Sequence, residues 1–295
     1  MSTSQTIFKH IGIVGAGSTG AALAQMAAVA GADVLVYDIN DTVLRRAFER
    51  IKTDLRRQVQ QNVLTADQMS AILGRLRSRT SVADLSPCDL VIEAVVEDLR
   101  VKRDLMKHLD ANTKPAAVLA TASSALSVSA VGSFARFPER IIGMHFFHPI
   151  QSSPVVEVAR GSRTNDQTVL AATDLVTMLG KRSILVNDSP GFVVNRVSYP
   201  YAGESLQIAG ERIATPEQID RIMKVVGGYE AGPFETIDQE GIDTHLAAAR
   251  GLSDQFFGDS RYRPHPLLQQ MVDAGKLGKK SGSGFVTSEA NTSPK

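Results

Sequence analysis

Cysteine and long apolar runs are almost absent from this sequence of 295 residues. The single cysteine, Cys88, has no second cysteine with which to form an internal disulfide or a zinc cluster, so we expect a reducing compartment and a cytoplasmic location. No run of about 18 apolar residues is free of charges and helix breakers, and residues 1–10 resemble neither a signal peptide nor a transit peptide. The sequence therefore predicts a protein that does not enter a membrane.

An excess of charge of either sign is also absent. Thirty-two Lys and Arg residues against 31 Asp and Glu residues give a formal net charge of +1, which argues against a general nucleic-acid or membrane-surface binder. Hydrophobic residues make up 43% of the chain, enough for a packed core. Residues 45–79 contain nine basic and three acidic residues, a net charge of +6 that the remainder offsets with −5. This basic stretch indicates either a local anionic partner or a solvated helix face.

Short runs rich in Val and Ile alternate with helical patterns up to about residue 188. These runs predict strands of a largely parallel sheet, at residues 11–14, 34–37, 90–93, 117–120, 141–144, 155–158 and 184–186. Residues 41–61 and 65–79 predict an inserted helical hairpin, and helical spacing dominates after the Asp188-Ser189-Pro190-Gly191 break. We expect an α/β domain over residues 1–188, an all-helical domain over 189–295, and a frayed tail after Phe285.

A glycine-rich turn follows the first predicted strand and opens a helix of small residues. Its sequence fits GxGxxG and reads Gly15, Ala16, Gly17, Ser18, Thr19, Gly20. Such a turn lets the backbone approach a pyrophosphate at the helix N-terminus. Asp38 ends the second predicted strand, where a carboxylate binds the ribose diol, and Ile39 and Asn40 offer no cation for a 2′-phosphate. The pattern predicts NAD rather than NADP as the cofactor; the alternative is a glycine-rich turn without a ligand.

A histidine and a glutamate occupy two later predicted strands. His145 ends one strand, and Glu157 follows twelve residues later among valines on the next. A carboxylate bonded to one histidine nitrogen fixes the tautomer and stabilises the protonated ring, as a base that removes a proton from an alcohol requires. From the spacing alone, a core histidine and an edge-strand glutamate without catalytic roles remain the alternative.

The whole chain resembles the L-3-hydroxyacyl-CoA dehydrogenase family, including its bacterial 3-hydroxybutyryl-CoA dehydrogenases. The matching stretches follow one another from end to end: Gly15–Gly20, Val91–Glu97 with Lys102, Ala120–Leu126, Gly143–Pro149, Val155–Gly161, Asp188–Arg196, Ala231–Glu235 and Gly275–Phe285. The resemblance implies a doubly wound Rossmann-type sheet with NAD across the carboxyl ends of its strands, and a helical domain closing over the substrate. It also implies a homodimer formed through the helical domain.

Roles for individual residues follow from the same resemblance. It implies that His145 is the catalytic base and Glu157 its orienting partner, and that Ser124 and Asn195 hydrogen-bond the reacting oxygen. The alternatives without a catalytic role are that Ser124 is a turn residue at the end of a strand and that Asn195 caps a helix. The resemblance further places two residues beside the nicotinamide half of the cofactor, namely Glu97 and Lys102. Nothing in it requires a metal.

Three departures from the family pattern concern the substrate. The Asn-Thr-Ser-Ser stretch of the family reads Ala122-Ser123-Ser124-Ala125 here, and the asparagine of His-Phe-Phe-Asn-Pro is His148, which either bonds a substrate group or only fills space. The hairpin turn whose lysine helps to hold CoA reads Gln61-Asn62-Val63. We therefore expect a 3-hydroxyacyl-CoA as substrate, with a 3-hydroxyacyl carrier protein as competitor because an acidic carrier suits a broad arginine face. A small free hydroxy acid ranks third, and a non-catalytic NAD-binding protein is the alternative from another class.

Overall fold

The computed structural model describes residues 8–286, so most of the tail that was expected to fray lies outside the described residues. The chain divides into two compact units, one ending at Phe192 and one beginning at Val193. No helix in the described part of the chain is long and apolar enough to cross a membrane.

The first unit is built on one eight-stranded sheet. Its strands are β1 (His10–Val14), β2 (Asp33–Tyr37), β3 (Leu76–Arg79), β4 (Leu90–Glu93), β5 (Val118–Thr121), β6 (Ile141–Phe146), β7 (Val155–Arg160) and β8 (Arg182–Asn187). They lie in the order β3-β2-β1-β4-β5-β6-β7-β8. Every neighbouring pair is parallel except β6 and β7, which are antiparallel. The predicted Rossmann-type sheet is confirmed, and all seven predicted strands are present.

Helices cover the sheet and make up the second unit. Those of the first unit are α1 (Ser18–Val29), α2 (Asp41–Gln60), α3 (Ala66–Arg75), α4 (Leu99–Asn112), α5 (Val128–Val131) and α6 (Asp166–Met178). Those of the second are α7 (Val194–Gly210), α8 (Pro216–Val225), α9 (Pro233–Glu240), α10 (Ile242–Gln255) and α11 (Pro266–Asp273). The predicted all-helical C-terminal domain is confirmed.

The inserted hairpin ends earlier than the sequence predicts. Helices α2 and α3 form it, and Thr65 begins α3 with a capping box completed by Gln68. The prediction of helix up to Arg79 is wrong, because Leu76–Arg79 pairs with β2 as an edge strand and buries the Leu76 side chain. Two of the arginines in the basic stretch therefore lie on β3 rather than on the hairpin.

Packing explains why the first unit continues past the predicted boundary at residue 188. The Asp188 carboxylate accepts hydrogen bonds from the Ser127 hydroxyl and from the backbone amides of Val128 and Ser129, each at 2.8 Å. Phe192 is 2% exposed and belongs to the apolar cluster on one face of the sheet. The turn after β8 is thus tied to the sheet, and the division falls after Phe192.

Candidate active site

A histidine and a glutamate face each other on the two antiparallel strands. His145 on β6 and Glu157 on β7 are direct register partners, and His145 Nδ1 lies 2.7 Å from Glu157 Oε2. Both residues are buried, with 7% and 2% of their surface exposed. Side chains directly opposite in an antiparallel pair share one face of the sheet, so the strand ladder itself sets this geometry. The pair that the sequence predicted is therefore in contact.

Two aromatic rings flank the imidazole. Phe147 meets the His145 ring edge to face with 4.6 Å between centroids, and Phe192 lies 5.9 Å away. Apolar walls lower the local dielectric and strengthen the bond between the imidazole and its carboxylate. The site is suited to hold a histidine that gains a positive charge during a reaction.

Ser124 lies in an irregular loop after β5, and the shape of this loop depends on a carboxylate that is distant in the sequence. Glu97 Oε1 accepts hydrogen bonds from the Ser123 hydroxyl and from the backbone amides of Ser124 and Ala125, the last two at 3.1 Å. Loop amides that lack regular partners must be satisfied by side chains or water. Glu97 thus fixes the backbone that carries Ser124, and no local pattern in the sequence indicates this contact.

A buried ion network lies behind Glu97. The Lys102 ammonium is 2.5 Å from Glu93 Oε1 and 3.3 Å from Glu97 Oε2, and only 1% of Lys102 is exposed. Glu93 also accepts bonds from the Thr121 hydroxyl and the Val95 amide. Burial raises the pKa of the Glu93 carboxyl, and these bonds oppose that rise. The resemblance predicts Lys102 beside the cofactor; in this structure its ammonium contacts the two carboxylates and the Val95 carbonyl oxygen, the last at 3.3 Å.

The glycine-rich turn has the geometry that a dinucleotide site requires. Gly15 has φ of 93° and Gly17 has open space where a side chain would be, while a Cβ on Gly20 would come within 1.8 Å of the Gly15 carbonyl oxygen. Gly17 caps α1, whose first residues are Ser18 and Thr19. The backbone of this turn is therefore able to approach a pyrophosphate with the N-terminus of α1 directed at it.

Asp38 follows β2 next to this turn. Its carboxylate oxygens accept hydrogen bonds from the Ala16 amide at 2.8 Å and the Asn40 amide at 2.9 Å. A carboxylate has about four acceptor positions, so two are left for a ribose diol. Ile39 is 93% exposed and, with Asn40, adds no cation. These residues fit NAD and offer nothing for a 2′-phosphate.

His148 lies in the loop between β6 and β7. Its Nε2 is 3.4 Å from the Thr19 hydroxyl, so this loop reaches the first turn of α1. His148 and the next three residues form one wall of a cavity of about 180 Å³, whose other walls come from α1 and from α2, where Arg50 and Asp54 lie. His148, where the sequence departs from the family pattern, therefore lines a cavity that lies between the hairpin and the dinucleotide turn.

Asn195 lies in the first turn of α7, in the second unit, and is half-buried. Its expected contact with the reacting oxygen stays a prediction. Among residues 8–286, no group of three or more His, Cys, Asp and Glu side chains is arranged to hold a metal ion.

Two family models match the chain in succession. The model described as the NAD binding domain of 3-hydroxyacyl-CoA dehydrogenase matches residues 10–189, and the model of the C-terminal domain matches residues 191–288. Together they account for nearly the whole described chain, so the match does not depend on the dinucleotide motif alone.

Relatives and solved structures agree with these models. The chain is 41% identical to the probable 3-hydroxybutyryl-CoA dehydrogenase of Deinococcus radiodurans, covering 93% of this chain and 98% of the relative. It is 38% identical to the probable 3-hydroxybutyryl-CoA dehydrogenase of Bacillus subtilis, covering 97% and 99%. The crystal structure of (S)-3-hydroxybutyryl-CoA dehydrogenase from Ralstonia eutropha superposes with a TM-score of 0.90 at 36% identity, covering 96% of this chain and 99% of that one. The chain therefore belongs to the 3-hydroxyacyl-CoA dehydrogenase family and is an NAD-dependent oxidoreductase that acts on the CH–OH group of a 3-hydroxyacyl-CoA.

Proposed function

We propose that the enzyme oxidises short 3-hydroxyacyl-CoA substrates such as 3-hydroxybutyryl-CoA, with His145 as the catalytic base. The observation that carries this proposal is the buried bond of 2.7 Å between His145 Nδ1 and Glu157 Oε2. The names of the relatives at 41% and 38% identity support a short acyl chain.

The pair has the arrangement that proton removal from an alcohol needs. A proton on Nδ1 donates to Glu157, which leaves Nε2 of His145 as the acceptor for the proton of the 3-hydroxyl group. As the imidazole becomes positive, the adjacent carboxylate stabilises it at short range and out of water. NAD supplies the hydride acceptor. In the reverse direction His145 returns the proton to the oxygen.

Two polar side chains are proposed to position the reacting oxygen. Ser124 is half-buried in a loop whose amides are held by Glu97, so its hydroxyl starts from a fixed backbone. Asn195 contributes its amide from the first turn of α7. Each such hydrogen bond, when aimed at developing charge, is worth a few kcal/mol in the transition state.

Cofactor contacts are proposed for the turn from Gly15 to Gly20 and for Asp38, which have the geometry described above. Glu97, 38% of whose side chain is exposed, is proposed to face the nicotinamide half. Lys102 is too deeply buried to share that surface, so we propose that it acts by holding Glu97.

The distribution of charge favours CoA over a carrier protein. An acidic carrier would need a broad face of unpaired arginines, and part of that face is paired, because Arg57 pairs with Asp54 and Arg75 donates to the Ala28 carbonyl oxygen. Arg50 instead lies at the wall of the cavity between α1 and α2. An arginine at the wall of this cavity suits a phosphate group of CoA, and we propose that it compensates for the missing lysine of the hairpin turn.

Assembly and location are further parts of the proposal. Ile222, Val225 and Val226 on and after α8 are 55%, 76% and 82% exposed, which supports a homodimer formed through the second unit. A Val225→Glu change should then shift the mass measured by analytical ultracentrifugation to that of a monomer. The buried lone thiol Cys88, whose pKa burial raises to about 12, is suited to the reducing cytoplasm.

The decisive experiment measures NAD reduction with 3-hydroxybutyryl-CoA for the parent enzyme and for His145→Gln. We expect loss of turnover with retained NADH binding. His10→Gln is the matched control, because His10 lies beside the Asp33 carboxylate at the start of β1 and β2, on other strands of the sheet than His145 and Glu157. Full activity of His145→Gln would contradict the mechanism, and NADH binding without turnover in the parent would favour a non-catalytic protein. Turnover of the same acyl group on CoA, on a carrier protein and as the free acid compares the three substrate classes.

A further inference from the structure

Lys181 is a buried lysine that the proposed chemistry does not use. It directly precedes β8 and is 9% exposed. Its ammonium donates hydrogen bonds to the backbone carbonyl oxygens of Ile150 at 2.7 Å, Gln151 at 3.4 Å and Ser153 at 2.5 Å. An ammonium has three donors, so each donor meets one carbonyl oxygen. Burial lowers the pKa of this group from its ordinary value.

These bonds shape the loop between β6 and β7, which we define as residues 148–154, the part of the connection after Phe147. Within the loop the amides of Ser152 and Ser153 both donate to the Pro149 carbonyl oxygen, and at its end the Pro154 carbonyl oxygen accepts from the Arg182 amide at 2.8 Å. A buried carbonyl oxygen without a partner costs about 1–3 kcal/mol, so removal of the ammonium would favour another conformation of this loop. The loop is therefore held from a residue 28 to 31 positions away in sequence.

The same loop forms a wall of the cavity that contains Arg50. His148, Pro149, Ile150 and Gln151 line the cavity opposite α1 and α2. The catalytic pair depends on different bonds, because His145 and Glu157 lie inside the paired strands. Phe147, which packs against the His145 ring, precedes the loop, so a shift of residues 148–154 would change the cavity while leaving the pair in place.

We propose that Lys181 is a positioning residue for the acyl carrier, which acts through the 148–154 loop on the binding of the CoA nucleotide and not on proton or hydride transfer. The inference rests on the proposed function, in which the cavity receives the phosphates of CoA. Binding that is equal in the ground state and the transition state affects KM and leaves kcat unchanged.

The test compares two substrates that carry the same acyl group. One is 3-hydroxybutyryl-CoA, and the other is the N-acetylcysteamine thioester, which lacks the nucleotide. Lys181→Met keeps the length of the side chain without its donors, and Lys181→Gln keeps two donors. For Lys181→Met we expect a KM for the CoA ester raised roughly tenfold or more, a smaller rise for Lys181→Gln, and kcat within about twofold of the parent. The KM for the short thioester should not change in either variant.

General damage to the fold would raise both KM values together, and that result overturns the inference. An unchanged KM for the CoA ester, or a lower kcat at constant KM, overturns it as well. Lys114→Met is the matched control, since Lys114 pairs with Asp89 away from this loop and should leave both KM values unchanged. If Lys181→Met does not fold, Lys181→Gln decides by the same comparison. A parent enzyme with equal KM for both thioesters would instead contradict the proposed CoA site.

Discussion

Replacement of Glu157 by glutamine tests the catalytic pair with a change of one functional group. The substitution keeps size and burial but removes the negative charge 2.7 Å from His145 Nδ1. A hydrogen bond to a charged group contributes about 1.5–3 kcal/mol, and loss of the upper value lowers a rate by roughly two orders of magnitude. The glutamine amide is also able to donate to Nδ1, which would place the ring proton on Nε2. That tautomer has no acceptor for the substrate proton, so kcat is expected to fall by about 10² to 10⁴.

The measurement is NADH formation from 3-hydroxybutyryl-CoA across a range of pH, together with NADH affinity and the thermal midpoint. We expect the affinity for NADH to remain, because the contacts of the dinucleotide turn lie on β1, α1 and β2. A Glu157→Gln enzyme with kcat within about threefold of the parent would refute the role of the carboxylate. A large loss of NADH affinity alongside the loss of kcat would assign Glu157 to the fold rather than to the chemistry.

Three further predictions concern the dinucleotide turn and stability. Gly20→Ala would bring a Cβ within 1.8 Å of the Gly15 carbonyl oxygen, so NADH titration should show strongly weakened binding, and unchanged affinity would contradict this packing. Asp38→Ala should weaken NAD binding roughly 10- to 100-fold by calorimetry, because it removes a charged acceptor for the ribose diol; NADP binding should suffer less. Burial alone would raise the pKa of Asp89, but bonds from the Lys114 ammonium and from two backbone amides together outweigh burial and hold the pKa below its ordinary 3.8. The pair therefore stabilises the fold above about pH 4, and this stabilisation is lost as the pH falls below that value. Near neutral pH, denaturant titration should show that Lys114→Met lowers the free energy of unfolding by less than about 1 kcal/mol. In strong acid the variant and the parent should have the same free energy of unfolding.

The sheet was predictable because its strands are short, apolar and separated by helical patterns. Leu76–Arg79 was missed because it contains one buried apolar residue among exposed polar ones. Such a segment reads as the end of a helix, and only pairing with β2 along one edge makes it a strand.

The site was predictable where a local signal existed. Glu157 is recognisable as a carboxylate within an apolar strand, and Glu93, which follows Leu90, Val91 and Ile92, carries the same signal. Lys181 carries none, because its partners are carbonyl oxygens that any sequence supplies and only the folded chain brings them near. The direct pairing of His145 with Glu157 depends on strand register, which spacing alone does not set.

The single antiparallel pair in an otherwise parallel sheet has a consequence for protein engineering. Because β6 and β7 run in opposite directions, the segment that connects them begins and ends beside the reacting centre, yet it contains neither His145 nor Glu157. Residues 148–154, after the Phe147 ring that packs against His145, therefore form a segment that can be exchanged between two fixed strand ends. Libraries of variants restricted to this segment would change which carrier the enzyme accepts and would leave the residues of the redox reaction unchanged.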